Sequence, residues 1–380
     1  MYIYQKTNRY FAQTADDLTD LAAREIETLG GTGVKASYKG IYFTASQENL
    51  YLINYKSRLI NRILAPLCCF DCHSDRYLYK KSKQINWSDF IKFDQTFAVF
   101  STVVNSKIRH SKYASLLVKD AVADFFRETY RNKRPSVDTK DPDLWINLYI
   151  DNNKATLNLD TSGGSLHRRG YRKKTVDAPM IETLAAAIII LAEWNGRTPI
   201  YDPFCGSGTF LCECYLQARN IPAAILRQKF GFQRLPDYKE KLWQKIRNAC
   251  LKSVVKIDKG LISGSDISID AVKTARYNCA VIDNDSIINI RQSNVFQIQT
   301  CQNKIIVCNP PYGIRLKKHK NLSEFYKKFG DFLKQKCKNS TAFIYFGERE
   351  YIKNIGLKPS WKKPLHNSGL DGRLVKYELY

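Results

Sequence analysis

Two short stretches carry residue types whose spacing can do chemistry. The apolar run Ile305-Ile306-Val307-Cys308 leads into Asn309-Pro310-Pro311-Tyr312, and upstream stands Asp202-Pro203-Phe204-Cys205-Gly206-Ser207-Gly208-Thr209. An exocyclic amine on a purine is a poor nucleophile because its lone pair is delocalised into the ring. A site can activate it by accepting both N–H bonds, here with the Asn309 side-chain oxygen and the Pro310 carbonyl. The paired prolines stiffen these acceptors at low entropic cost, and Pro310 has no N–H to compete. Tyr312 offers a ring on which an extruded base can stack, and Gly313 leaves room beside it. The chemistry indicated is transfer of a methyl group from a sulfonium cofactor to a planar amine. It needs no metal and no covalent nucleophile, because orientation and charge placement suffice.

The upstream stretch supplies the cofactor side. Gly206 and Gly208 let the backbone approach a ligand closely, and the helix that follows aims its N-terminus at a carboxylate. A GxG after a strand also fits nucleotide binding in general, but no Lys-Ser/Thr follows, which excludes a P-loop. Asp266 closes the next strand and can accept both hydroxyls of a ribose, or else cap the following helix with Ser268. Asn294 follows a third strand and can bond an adenine edge, or simply form a turn.

These residues must be held by a sheet. Strands are expected at 199–201, 261–266, 287–292, 305–308 and 341–347, alternating with helices at 180–194, 210–218, 269–281 and 322–337; an antiparallel pair, 361–365 with 374–379, closes the chain. That alternation calls for a doubly wound, mostly parallel α/β sheet, with ligands at the carboxyl ends of its strands. The N-terminal half reads as α+β: strands at 10–14, 39–44 and 97–104, helices at 18–29, 50–64 and 112–130, and a hairpin of 145–150 with 154–160 turned by Asp151-Asn152-Asn153.

Composition points to the partner. Sixty Lys and Arg against 36 Asp and Glu give a formal charge of +24, spread along a chain with 12% aromatics, the footprint of a polyanion binder. The junction Gly163 to Lys174 holds six basic positions beside Tyr171, so Arg168, Arg169, Tyr171, Arg172 and Lys173 are expected to contact RNA; a solvated linker is the bland alternative. Met1 to Ala15 has no apolar signal core, and the longest apolar stretch, Ala185 to Ala192, is too short to span a bilayer, so a cytoplasmic protein with reduced cysteines and no membrane partner is expected. Cys69-Phe70-Asp71-Cys72-His73 has the spacing of a haem attachment. It lacks an export signal and a second ligand pair, and is expected to be core packing near a helix end.

With "DPFCGSGTF", "GSDIS", "NPPYG" and the closing "RLVKYEL", the chain resembles class I S-adenosylmethionine-dependent methyltransferases. The stretch "TSGGSLHRRGYRKKTVDAPMIETLAAAII" is similar to the one that joins a THUMP domain to RNA guanine-N2 methyltransferases, most like the 23S ribosomal RNA guanine-N2 methyltransferase L group. The resemblance covers essentially the whole chain, whereas larger members carry a second methyltransferase. It implies a Rossmann-like catalytic domain with a mostly parallel seven-stranded sheet, preceded by α+β ferredoxin-like and THUMP domains. The implied boundaries are 1–48, 49–161, a basic linker at 162–178, and 179–380.

The resemblance also implies S-adenosylmethionine contacts at Asp202, Phe204, Gly206, Ser207, Gly208, Thr209, Asp266 and Asn294, with Pro179 and Glu182 on a helix closing over the cofactor. Asn309, Pro310 and Tyr312 would hold the amine, and the partner would be 23S ribosomal RNA or a large-subunit precursor. Where the family usually has Asp at the third cofactor position, this chain has Asn294. The competing readings are transfer RNA guanine-N2 methylation, DNA amino or protein glutamine methylation, which use the same tetrapeptide, and a non-catalytic RNA-binding assembly factor. The basic N-terminal half argues against a protein substrate, and its THUMP-like pattern against DNA.

Overall fold

A computed structural model describes residues 1–176, 179–311, 319–367 and 370–380, with the backbone alone described at 319–321. The chain forms two compact units, one of residues 1–166 with 227–249 and the other of residues 167–226 with 250–380.

The first unit contains α1 (Ile3–Thr7), β1 (Arg9–Gln13), α2 (Thr19–Thr28), β2 (Thr32–Ser37), β3 (Gly40–Thr44), α3 (Gln47–Lys56), β4 (Arg62–Asp71), α4 (Asp75–Lys83), β5 (Thr96–Val104), α5 (Ser111–Thr129), β6 (Ser136–Val137), β7 (Leu144–Asp151) and β8 (Lys154–Asp160). Its strands make one eight-stranded sheet in the order β2-β3-β1-β4-β8-β7-β5-β6. The two portions that the resemblance implies, ferredoxin-like and THUMP, would therefore be joined through β4, which pairs with β1 on one side and β8 on the other. A domain boundary at 48/49 falls inside α3.

The helix expected over 50–64 is corrected here. It stops at Lys56, and β4 begins at Arg62. The cause is tertiary: the Glu25 carboxylate of α2 accepts the backbone N–H groups of Arg58 (2.7 Å) and Leu59 (3.1 Å), removing them from any continuing helical ladder. Pro66 is tolerated in β4 because the ladder shifts register between Pro66 and Cys68. The β7–β8 turn is as expected, with Asn152 and Asn153 both left-handed as a two-residue hairpin turn requires. Cys72 is buried in the turn before α4, whereas Cys69 lies exposed on β4, so the packing expectation fails for Cys69.

Residues 227–249 lie within the stretch expected to be catalytic, yet they pack in the first unit. Phe230, Phe232 and Trp243 bury their rings against Tyr51 and Tyr55 of α3, at centroid separations of 4.3 Å for Tyr51–Phe232 and 5.1 Å for Tyr55–Trp243. Gly231 permits the approach, since a Cβ there would sit 1.8 Å from the Asp160 carbonyl oxygen.

The second unit holds α6 (Glu182–Leu191), β9 (Ile200–Asp202), α7 (Thr209–Ala218), β10 (Ile262–Asp266), α9 (Ile269–Ala280), β11 (Asn289–Gln292), β12 (Ile305–Cys308), α10 (His319–Lys336), β13 (Ser340–Phe346), β14 (Trp361–Pro364) and β15 (Arg373–Leu379); α8 (Glu240–Lys252) runs across the unit boundary. The sheet order is β11-β10-β9-β12-β13-β15-β14. Strands β11 to β13 are parallel, and β15 runs against both β13 and β14. Leu322, Tyr326, Phe329 and Leu333 recur at helical spacing along α10 and pack into one core with Ile306, Cys308, Ile344, Phe346 and Tyr377. The strand order reverses between β9 and β12, and at that switch point Asp202 and Asn309 both stand at the carboxyl ends of the two neighbouring parallel strands. Among the described residues no helix is long and apolar enough to cross a membrane.

Candidate cofactor and amine site

Asp202 ends β9 almost fully buried, and its Oδ1 accepts the Phe204 N–H at 3.0 Å. Burial, and secondarily the negative charge of Asp266, push its carboxyl well above the ordinary carboxylate range; the Phe204 N–H opposes them. No described cation forms an ion pair with it. A buried acid with no such partner fits a cationic ligand.

Linkage then gives the sign. Because the folded pKa lies above the unfolded one, the native state loses stability as pH rises from the ordinary carboxylate pKa through the folded one. Asp202→Asn should therefore melt no lower than the parent at neutral pH while losing cofactor affinity, as thermal scans and calorimetric titration would report. A lowered Tm would mean that Asp202 is ionised and partnered in the native protein.

Gly206 and Gly208 both have left-handed backbones, at φ 52° and 81°, for different reasons. A Cβ at Gly208 would press on Ala275 and Cys279 of α9 at 3.2 Å. At Gly206 a Cβ would meet only ordinary van der Waals contact, 3.7 Å from Val176 Cγ2, so the left-handed backbone is what calls for glycine there. The Asp266 carboxylate spans this loop, accepting Gly206 N–H on Oδ2 and Ser268 N–H on Oδ1, each at 3.0 Å. Ser268 is the residue that caps α9. Each Asp266 oxygen keeps a lone pair for a ribose hydroxyl.

Asn294 accepts the Phe296 N–H at 3.1 Å, the turn role, which leaves its Nδ2 group for another partner. The Phe204 ring turns away into α10, against Phe325 and Phe329, so only its backbone serves the loop. Ser207 and Thr209 are buried, and Thr209 Oγ1 accepts from Arg172 at 2.9 Å. Glu182 opens α6 buried between His167 and Arg172, each at 3.4 Å. Burial alone would raise its carboxyl, but the His167 hydrogen bond and the Arg172 charge prevail and hold it below its usual value. Pro179 lies half-buried just upstream.

Two residues that sequence reasoning passed over complete the rim. Ile267, 66% exposed, directly follows Asp266 at the end of β10, and Phe296, 40% exposed, lies two residues past Asn294 in the turn after β11, the strand paired with β10. The Phe296 ring packs edge to face on Phe325 at 5.7 Å, which leaves Ile267 as the large apolar side chain in solvent that suits the face of an adenine ring. Their signal in the sequence was an apolar residue just past each strand-end polar group.

Asn309 follows β12, with Cys308 and Pro310 buried on either side. Its Oδ1 is shielded from solvent and has no hydrogen-bond partner among the described residues. Tyr326 of α10 donates to the Pro311 carbonyl at 3.3 Å and stacks on Tyr351 at 5.2 Å, pinning the turn. Tyr312 lies outside the described residues.

The basic junction needs correction. Arg169 and Tyr171 are buried and both reach Glu213 on α7, Arg169 Nε at 3.4 Å and the Tyr171 hydroxyl at 2.9 Å. Burial, and then the Glu213 charge, push the Tyr171 phenol well above its ordinary range, so it stays a donor. Arg172 bonds the Met180 carbonyl at 2.6 Å as well as Thr209. Buried Asn278 of α9 accepts both the Lys173 and Lys174 N–H groups and donates to the Lys174 and Ser207 carbonyls. This segment is a strap that stitches α6, α7 and α9 to the glycine loop; its exposed cations are Arg168, Lys173 and Lys174. A buried guanidinium committed to a carboxylate is not available to a phosphate.

Among the described residues no group of three His, Cys, Asp or Glu could hold a metal ion. Residues 169–376 match the family described as RMKL-like, methyltransferase domain; residues 73–160 match the THUMP domain, and residues 9–64 the RlmL ferredoxin-like domain. The chain is 37% identical over 375 residues to a Synechocystis sp. protein named "Putative RNA methyltransferase slr0064", covering 98% of this chain and 97% of that one. It is 34% identical over 369 residues to the ribosomal RNA large subunit methyltransferase K/L of Aliivibrio salmonicida, covering 95% of this chain but 52% of the relative, so it spans about half the length of that protein. The crystal structure of SMU.472, solved with S-adenosylhomocysteine, superposes with a TM-score of 0.84 at 24% identity over 98% of both chains, a likeness of fold. Family, fold and the loop at Asp202 agree: the chain belongs to the RMKL-like methyltransferase family, with S-adenosylmethionine as its cofactor.

Proposed function

We propose that the protein methylates the exocyclic N2 amine of a guanine in RNA, with large-subunit ribosomal RNA as substrate. The observation that carries this reading is the Asn309 side-chain oxygen, buried beside the cofactor loop at the switch point without a partner among the described residues. An acceptor left unmade in a folded protein costs free energy, on the order of 1–3 kcal/mol, and a substrate amine would satisfy it. S-adenosylmethionine, when bound, supplies an electrophilic methyl group.

The chain's own residues do the rest. The loop at Gly206, with Asp202 and Asp266, holds the cofactor, and Ile267 lies against its adenine. Asn309 Oδ1 and the Pro310 carbonyl accept the two amine N–H groups, aim the nitrogen lone pair, and favour the positive charge that develops on it during transfer. Tyr312 stacks on the flipped guanine. Tyr326 fixes the turn from behind through the Pro311 carbonyl. RNA as the substrate is supported by the THUMP domain and by the names of the relatives, and by a charge of +24.

The test incubates the protein with labelled S-adenosylmethionine and unmodified large-subunit ribosomal RNA or transfer RNA in parallel, followed by digestion to nucleosides. Label in N2-methylguanosine from ribosomal RNA is expected. Label from transfer RNA keeps the chemistry and moves the substrate. Label in another nucleoside overturns the guanine assignment, and none in either RNA favours a binding-only role.

A further inference from the structure

The carboxyl edge of the catalytic sheet carries a second feature beyond the cofactor and amine positions. A cavity of about 450 Å³ is walled by Arg349, Lys353, Lys362 and Arg373 over an apolar floor that includes Ile352 and Leu357. The strand register places it. Cys308 of β12 lies beside Ile344 of β13, which sets Pro310 level with Phe346. Phe346 pairs with Arg373 of β15, and Arg373 with Pro364 of β14, another wall residue. The cavity thus lies along the edge that presents Asn309, two to three strands over, or roughly 10–14 Å at ordinary strand spacing.

Its wall also adjoins the residues that brace the amine turn. Arg349 and Lys353 lie on the turn Arg349–Ile355, whose Tyr351 stacks on Tyr326, the residue that donates to the Pro311 carbonyl. Arg349 and Arg373 share Asp371, and Glu350 also lines the cavity. Lys353 and Lys362 are exposed and form no ion pair with a described carboxylate. Charge is therefore left over for an anion, above a floor that can take the face of a base.

We infer that this cavity binds a nucleotide flanking the target, its backbone phosphate between Lys353 and Lys362. The inference rests on the reading of Asn309 as the amine acceptor of an RNA methyltransferase. The phosphate contact holds the strand while the target nucleotide is extruded, so it governs RNA affinity and leaves the transfer step alone.

The test compares the full-length parent with two double variants, Lys353→Gln/Lys362→Gln and Lys353→Arg/Lys362→Arg. Each is assayed with the RNA that the parent binds best, for the salt dependence of affinity and for methyl transfer, with Tm confirming folding. The Gln pair should lower the slope of log affinity against log salt by roughly 1.4, about 0.7 for each lysine that no longer neutralises a single-strand phosphate. KM for RNA should rise at unchanged kcat, and the Arg pair should restore both. An unchanged slope, or a fall that the Arg pair does not restore, overturns the inference. A parent that binds RNA but transfers no methyl group overturns the reading of Asn309, while the slope still decides the cavity. A parent that binds no RNA overturns both.

Discussion

Asn309→Ala is expected to lower kcat by about 10²–10³-fold, the scale seen when one preorganised polar contact to the reacting centre is removed. The affinities for S-adenosylmethionine and RNA should stay close to those of the parent, because Asn309 Oδ1 makes no hydrogen bond to a described residue and the loop at Asp202 stands on its own contacts. Tm should not fall, since the substitution removes a buried acceptor that has no hydrogen-bond partner among the described residues. Single-turnover methyl transfer with cofactor and RNA at saturation measures the effect. Near-parent turnover would refute the acceptor role. A collapse in Tm would show that Asn309 is structural.

Arg169→Ala is expected to have the largest effect on stability, about 3–5 kcal/mol, because it leaves Glu213 as an unpaired charge in the interior. At about 2–4 °C per kcal/mol for a unit of this size, the transition should fall by roughly 6–20 °C. Arg168→Ala should leave Tm unchanged, because Arg168 is exposed, and should reduce the salt slope of RNA binding by roughly one phosphate contact. The sequence places the two arginines side by side as equivalent cations. Thermal scans and salt titrations of the two variants separate them; equal Tm values would mean that Arg169 is not held in the interior.

That contrast shows what was legible in the chain alone. The βα alternation from Met180 onward, the glycine loop after β9 and the Asn-Pro-Pro turn after β12 could be read directly, because hydrophobic period and turn chemistry are local properties. Asp202, Gly206, Asp266 and Asn309 accordingly stand at strand ends as expected. The Asn152-Asn153 turn was legible for the same reason, since its left-handed backbone is set by two residues.

Other features depended on partners remote in sequence. α3 ends at Lys56 because Glu25, over thirty residues earlier, takes the next N–H groups. Residues 227–249 join the first unit because three aromatic rings find Tyr51 and Tyr55. The Phe204 ring leaves the cofactor loop for α10. Most of all, charge along a sequence carries no sign of burial. Glu213 draws Arg169 and Tyr171 inward while Arg168 and Lys173 stay in water, and only packing could decide which cations remain free to meet a phosphate.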